Sequence, residues 1–342
     1  MRERIEFLFL NIGHFFDHLF MLLFATVAAL TLARQWDMGY AELIPYATPG
    51  FIAFGVCALP AGWIADKWSR KGMMIIFFLG IGAASIATSL ARTPLEISAG
   101  LCAIGIFAAI YHPVGLALVV QGREKTGMAL AINGVFGNIG VACAALIAGY
   151  LIDAAGWHWV FVLPGILSIA TGILYAGFLA WSKRTATASR AAAKPADKAP
   201  IDRRILIRVF AVIFLSTAIG GLVFQSTTFS LPKVFEERLG DLAGSATLIG
   251  WYAFLVFTIA AFAQIVVGWL VDRHSIRLVF GFVAALQVLF FAIMPNMTGA
   301  AALIVAIAFM LVVFGQIPIN DVLVGRMTRP EFRSRVFALR YI

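Results

Sequence analysis

The stretch GWIADKWSRK, residues 62–71, places one carboxylate and three cations between two long apolar runs. A second charged stretch, GWLVDRHSIR at residues 268–277, starts 206 residues later with the same Gly-Trp pair. In both stretches an aspartate stands four positions after the glycine and a cation follows it directly. Two copies of one charged loop in an apolar chain predict two related halves, each with helices joined by such a loop.

The composition predicts that lipid is the solvent of most of this chain. Hydrophobic residues make up 62% of it and charged residues only 13%, whereas about 25% of residues are charged in soluble domains. The formal net charge is +9, but the cations fall in short gaps between apolar runs. This pattern sets membrane topology and does not favour a nucleic-acid-binding face. We therefore expect no nucleic-acid partner and no cofactor.

Apolar runs of membrane length recur along the whole chain. A membrane-spanning helix needs about 20 mostly apolar residues, and ten runs meet this requirement. We therefore predict an all-α polytopic membrane protein of ten helices, with the start of an eleventh in RPEFRSRVFALRYI at residues 329–342. The predicted spans are 7–33, 42–64, 72–91, 95–120, 127–151, 157–181, 205–232, 245–271, 276–295 and 300–325.

The positions of the cations predict the orientation. Of the 26 Lys and Arg residues, 22 lie at the N-terminus and in every second gap, and four lie in the opposite gaps. Because cytoplasmic loops carry an excess of Lys and Arg, we expect the N-terminus on the cytoplasmic side of a bacterial inner membrane. The polar stretch 182–204 reads as a cytoplasmic linker between an N-terminal bundle at 1–181 and a C-terminal bundle at 205–342.

The charged stretch at 62–71 resembles the signature loop between helices two and three of the major facilitator superfamily. Five residues fit that pattern, while Ser69 replaces its second glycine; the five are Gly62, Asp66, Lys67, Arg70 and Lys71. The second copy retains Gly268, Asp272, Arg273 and Arg277. The resemblance implies two pseudo-symmetric six-helix bundles that alternate access to a central cavity. Since that family has twelve helices, it also implies that the C-terminal bundle is truncated here.

In that family the loop acts as a cytoplasmic gate. We expect Gly62 to permit close helix packing and Asp66 to accept hydrogen bonds from the N-terminus of an adjacent helix. We also expect Arg277 to pair with Asp321 near the end of the tenth helix in one state of the transport cycle. The alternative for Lys67, Arg70 and Lys71 is that they only anchor the loop at the anionic membrane surface.

The first predicted helix contains the ionisable trio His14, Asp17 and His18. Their spacing of three and four residues places all three on one helix face. A charged residue near the middle of a membrane costs about 2.5–3.5 kcal/mol on insertion scales, so such residues usually face a partner or a water-filled cavity. Asp17 is our candidate proton site, with the two histidines beside it. The alternative is a buried structural pair, and no metal site is assigned because the trio needs further ligands.

Further polar residues inside apolar runs are candidates for the substrate cavity. Tyr111 and His112 precede Pro113, which can bend the fourth helix, although a core histidine with satisfied hydrogen bonds is the alternative. The other candidates are Asn133, Asn138, Gln225, Gln264, Gln316 and Asn320. The His-Asp pair of the first helix, together with YHP and GNIG, resembles over a few residues the fosmidomycin-resistance branch of drug exporters.

These features together favour a secondary active transporter that moves a small solute by alternating access, coupled to protons. Drug or metabolite efflux is one form of that function. A facilitative uniporter and a non-transporting membrane sensor are the alternatives on the same fold. A polytopic enzyme is not favoured, because the sequence offers no pairing of a nucleophile with a base. The expected partners are the solute, protons and the bilayer, and the expected state is a monomer.

Overall fold

The protein is helical throughout the part that the structure describes. The computed structural model describes residues 1–121, 127–184, 203–240 and 242–327. Within these ranges it gives the side chains except at 127, 128, 131, 184, 203–210, 212, 213, 272 and 320–327. All regular structure in them is helix. The predicted all-α class is thereby confirmed.

The described part of the first half contains nine helices. Two of them begin at side-chain caps, since Ser69 accepts a hydrogen bond from the Gly72 amide and Thr93 from the Glu96 amide. The elements are α1 (Arg2–Val27), a π-helical turn (Ala28–Leu32), α2 (Ala33–Gln35), α3 (Tyr40–Leu43), a 3-10 turn (Ile44–Ala47), α4 (Thr48–Lys67), α5 (Arg70–Thr88), α6 (Pro94–Ala108), a second π-helical turn (Tyr111–Gly115), α7 (Leu116–Val120), α8 (Gly127–Ala155) and α9 (Trp157–Arg184).

The second half forms four long helices. Ser245 caps the second of them by accepting a hydrogen bond from the Leu248 amide. Gly299, with φ of 56°, begins the last one in a left-handed conformation that favours glycine. The elements are α10 (Arg203–Arg238), α11 (Ala246–Arg273), α12 (Ile276–Ile293), a 3-10 turn (Met294–Asn296) and α13 (Gly299–Met327).

Nine helical segments of the described chain are long and apolar enough to cross a bilayer. The protein is therefore an integral membrane protein. The predicted count of ten spans is therefore not confirmed. The predicted span 205–232 falls in α10, which has 36 residues but is not among the nine. The predicted start of an eleventh helix at 329–342 lies outside the described residues.

The helices pack as two groups. In the first half α1 is the central helix, buried along most of its length and packed against α8 and α9, while α5 packs on α9 and α4 on α6. In the second half α13 packs against α10, α11 and α12. The two groups meet chiefly where α8 packs against α11.

Within the described residues, the polar and aromatic side-chain contacts between the two groups lie near one end of the helices. Asp153 of α8 accepts hydrogen bonds from the Thr247 amide (2.8 Å) and the Thr247 hydroxyl at the start of α11. Arg34 approaches Glu236 at 3.6 Å, and the ring of Phe229 packs against phenylalanines of the first group. The cation pattern predicts that this end is extracellular, so the described conformation is joined at the predicted extracellular side.

Two glycines allow α8 and α11 to approach so closely. A side chain at Gly149 would collide with the carbonyl oxygen of Ala246, and one at Gly250 would collide with that of Ala145. Small residues at such crossings let two helix backbones approach closely within a membrane. The contact between the two groups therefore depends on two positions without a side chain.

Candidate functional site

Asp17 and His112 form a buried acidic-basic pair in the first helix group. The Nε2 atom of His112 lies 3.1 Å from Oδ2 of Asp17, and the side chains are 3% and 1% exposed. The geometry is that of an electrostatic contact, because neither oxygen of Asp17 accepts a well-aligned hydrogen bond from the described part of the chain. His112 reaches this position from the π-helical turn Tyr111–Gly115. Such turns are frequently found at functional sites.

His14 and His18 extend this pair along the same face of α1. Their Nε2 atoms lie 3.2 Å apart, and the His14 ring lies edge-on to the ring of His112 at 5.3 Å. The Nδ1 atom of His14 lies 2.7 Å from the carbonyl oxygen of Asn133. A carbonyl oxygen only accepts, so Nδ1 of His14 carries a proton and, in the neutral ring, Nε2 presents its lone pair towards His18.

Tyr111 and Asn133 connect the histidines to two neighbouring helices. The Tyr111 hydroxyl donates to the carbonyl oxygen of Leu10 at 2.7 Å, and its ring stacks on His14 with centroids 4.8 Å apart. The Asn133 amide group donates to the Tyr111 oxygen at 2.9 Å and to Asn11 Oδ1 at 3.0 Å. Buried polar groups with such partners fix the positions of α1, α8 and the π-helical turn.

We call the seven residues just described the histidine-aspartate cluster; they are Asn11, His14, Asp17, His18, Tyr111, His112 and Asn133. The structure brings together six predicted site residues in it, from three separate stretches of sequence. Asn11 is the member that the sequence analysis missed. Its position three residues before His14, on the same helix face, is the signal that could have identified it.

The cluster offers two kinds of chemistry. A carboxyl group beside three imidazoles can hold and exchange protons inside the membrane region. One nitrogen from each of His14, His18 and His112 lies within 4.8 Å of the others, so imidazole ligands for a metal ion are also present together. The sequence analysis found too few ligands because His112 is distant in sequence from the trio of α1.

The remaining predicted cavity residues lie elsewhere. Asn138 is buried in α8, whereas Gln225 of α10 and Gln264 of α11 are half-buried. Gln316 is buried in α13 and accepts a hydrogen bond at 2.8 Å from Gln287, a residue that the sequence analysis did not single out. The side chain of Asn320 is outside the described residues.

The first gate loop folds as a tight connection between α4 and α5. Asp66 accepts two hydrogen bonds from the Arg70 guanidinium, at 2.8 and 3.1 Å, and Lys71 lies 2.6 Å from Glu6. We expected Asp66 to accept from an adjacent helix N-terminus; here it accepts from Arg70, which the short connection brings within reach. A side chain at Gly62 would contact Pro113 at 3.3 Å, as expected for close packing. Lys67 is exposed.

The second gate loop joins α11 and α12. Arg273 stacks its guanidinium over the Trp269 ring at 4.2 Å from the centroid, and Arg277 follows in the first turn of α12. Gly268 faces open space. The side chains of Asp272 and Asp321 are outside the described residues, so the predicted pairing of Arg277 with Asp321 stays a prediction.

Known proteins similar to this chain are membrane transporters. A gallate transporter of Pseudomonas putida is 27% identical over 72% of this chain and 61% of its own length. A 4-hydroxybenzoate transporter of the same species is 25% identical over 74% of this chain and 63% of its own length. The chain therefore spans about three-fifths of the length of these curated relatives.

Solved structures share the fold of this chain. A bacterial homologue of the human lysosomal transporter Spinster, in an inward-facing and unoccupied conformation, superposes with a TM-score of 0.78 over 99% of this chain and 78% of its own, at 14% identity. A D-xylose-proton symporter superposes with a TM-score of 0.68 over 98% and 85%, also at 14% identity. The sequence profile of the Major Facilitator Superfamily matches residues 10–342. The chain belongs to the Major Facilitator Superfamily.

Proposed function

We propose that this protein is a proton-coupled secondary active transporter, which moves a small solute across the bacterial inner membrane by alternating access. The observation that carries the proposal is the buried Asp17–His112 pair, 3.1 Å apart, within the first helix group. A carboxyl group in the membrane region is expensive and therefore marks an ion pathway by default. His14, His18 and His112 are the titratable groups that face it, and each can receive or return a proton.

The proposed solute is a small aromatic molecule of low charge. The similar transporters of Pseudomonas putida are named for gallate and 4-hydroxybenzoate, which supports an aromatic acid as the first substrate to test. Phe229 of the second group packs against Phe51 and Phe24 of the first, with ring centroids 5.4 and 6.3 Å apart. Aromatic rings at a bundle interface favour stacking with an aromatic solute.

The remaining parts of the proposal come from the sequence. The N-terminus lies in the cytoplasm, a bundle at 1–181 and a bundle at 205–342 rock against each other, and the stretch 182–204 links them. The gate loops at 62–71 and 268–277 close the cytoplasmic side. Proteins of this superfamily are transporters and not enzymes, which sets aside the membrane-enzyme alternative.

The experiment is a substrate panel in proteoliposomes that contain the complete protein. Gallate, 4-hydroxybenzoate and neutral aromatic compounds are offered with and without an imposed pH gradient. We expect at least one aromatic compound to accumulate above its equilibrium level only when the gradient is present. Movement that stops at equal concentrations, whatever the gradient, would identify a uniporter instead. No movement of any compound under either condition would favour the sensor alternative.

A further inference from the structure

We propose that His14, His18 and His112 bind a divalent transition-metal ion such as Zn²⁺ or Co²⁺, with Asp17 beside them as the balancing carboxylate. This inference goes beyond the proposed transport function. A bound metal ion would compete with protons for these side chains, and the test of this inference needs no transport assay. Imidazole nitrogens are preferred ligands of these metals. The chain has five histidines, and three of them are in this site. His14 and His18 lie in one segment, and His112 lies about a hundred residues further along the chain.

The distance between His14 and His18 fits two ligands of one metal ion. Metal–nitrogen bonds of about 2.0–2.1 Å at a tetrahedral angle separate two ligand nitrogens by about 3.3 Å. The Nε2 atoms of these two histidines lie 3.2 Å apart. Their spacing of four residues on α1 is the same spacing by which paired histidines on one helix hold zinc. A nitrogen of His112 completes a trio in which all three ligand atoms lie within 4.8 Å.

The groups around the trio are those that typically orient metal-binding histidines. A histidine ligand usually donates its second ring N–H to a backbone carbonyl or a carboxylate, which fixes the tautomer. Nδ1 of His14 donates to the carbonyl oxygen of Asn133 at 2.7 Å, so Nε2 is left as the ligand atom. A ring nitrogen of His112 lies 3.1 Å from the carboxylate of Asp17. His14 thus already has an orienting hydrogen bond, and His112 lies in electrostatic contact with a carboxylate.

Asp17 also accounts for the charge of the site. Its carboxylate is buried with 1% exposure, and Oδ1 accepts no hydrogen bond from the described residues. A buried anion in this state is stabilised by a nearby cation. A divalent ion bound to the three imidazoles would supply that charge, with Asp17 as a direct fourth ligand or as the partner of His112. Among the three histidines, His18 is only half-buried and therefore lies on the accessible side of the site.

Cobalt binding to the purified, tag-free complete protein tests this inference without any transport assay. Four-coordinate Co²⁺ with three nitrogen ligands gives visible absorption bands far more intense than those of hydrated Co²⁺. We expect one equivalent of Co²⁺ to bind with such bands and to be displaced by Zn²⁺. The variant His18→Gln should lose the bands, and Asp17→Asn should weaken binding by about 10- to 100-fold, as is usual for a partner of a metal ligand.

The two histidines outside the cluster provide matched controls. His158 and His274 are exposed, and His158→Gln or His274→Gln should leave the absorption bands and the stoichiometry unchanged. Loss of binding in either control would assign the ion to the surface and overturn the proposal. So would a wild-type protein without the bands, a result that does not depend on whether any variant folds. Size-exclusion profiles of His18→Gln separate loss of the site from loss of the fold.

Discussion

Tyr111 is the residue that joins the parts of the histidine-aspartate cluster. Its hydroxyl donates to the Leu10 carbonyl oxygen in α1 and receives the Asn133 amide from α8, and its ring stacks on His14. The side chain is completely buried. In such a site a polar group that loses its partner has no water to replace it, so each hydrogen bond is worth more than at the surface.

The substitution Tyr111→Phe should therefore destabilise the protein while it preserves the volume of the ring. It leaves the Leu10 carbonyl oxygen and the Asn133 amide each short of one partner, which we expect to cost about 1–3 kcal/mol of unfolding free energy. Thermal unfolding in detergent measures the effect as a lower midpoint. Tyr150→Phe is the matched control, because Tyr150 is exposed on α8. Equal midpoints for the two variants would show that the Tyr111 hydroxyl stabilises nothing.

At the scale of elements, the helices could be predicted from the sequence and their interruptions could not. Apolar runs locate α5, α8 and α12 within a few residues, because a long run of apolar side chains has one stable form in lipid. The π-helical turn Tyr111–Gly115 has no such signal beyond Pro113. The placement of His112 against Asp17 follows from how α1 packs on its neighbours, and a single sequence does not contain that information.

The crossing of α8 and α11 gives a prediction for the conformational equilibrium. Gly149→Ala adds a methyl group against the Ala246 carbonyl oxygen. Overpacking of this kind costs about 1–3 kcal/mol. It should lower the ratio of the described conformation, in which the two groups are joined at the α8–α11 crossing, to the conformation open there by about 5- to 150-fold. The readout is the yield of cross-linking by a short bis-maleimide reagent between cysteines placed at 34 and 236, the positions of the Arg34–Glu236 ion pair. All variants in this experiment are made in a protein whose native cysteines, Cys57, Cys102 and Cys143, have been replaced.

Gly177→Ala is the control for this experiment, because a side chain at Gly177 would meet open space. It should leave the cross-linking yield unchanged. An undiminished yield in Gly149→Ala would mean that the two helix groups can separate or adjust at this crossing without cost. The importance of the two glycines was not visible in the sequence, where Gly149 and Gly250 are two of 31 glycines.

At the scale of the whole molecule, the described conformation has its two helix groups joined at one end by Asp153, Arg34 and the ring of Phe229. The histidine-aspartate cluster lies within one group, on α1, α8 and the π-helical turn. Rocking of one group against the other can therefore proceed without disruption of the contacts of Asp17. In the proposed function, the cluster that exchanges protons therefore stays intact while the two groups move.

The most direct test of this account is transport by Asp17→Asn in proteoliposomes, with a substrate identified by the panel. The substitution retains the shape of the side chain and removes the group that exchanges a proton. We expect the variant to exchange labelled for unlabelled solute at a rate near that of the wild type, but to lose accumulation driven by a pH gradient. Full pH-driven accumulation in Asp17→Asn would contradict the account and place the coupling site elsewhere.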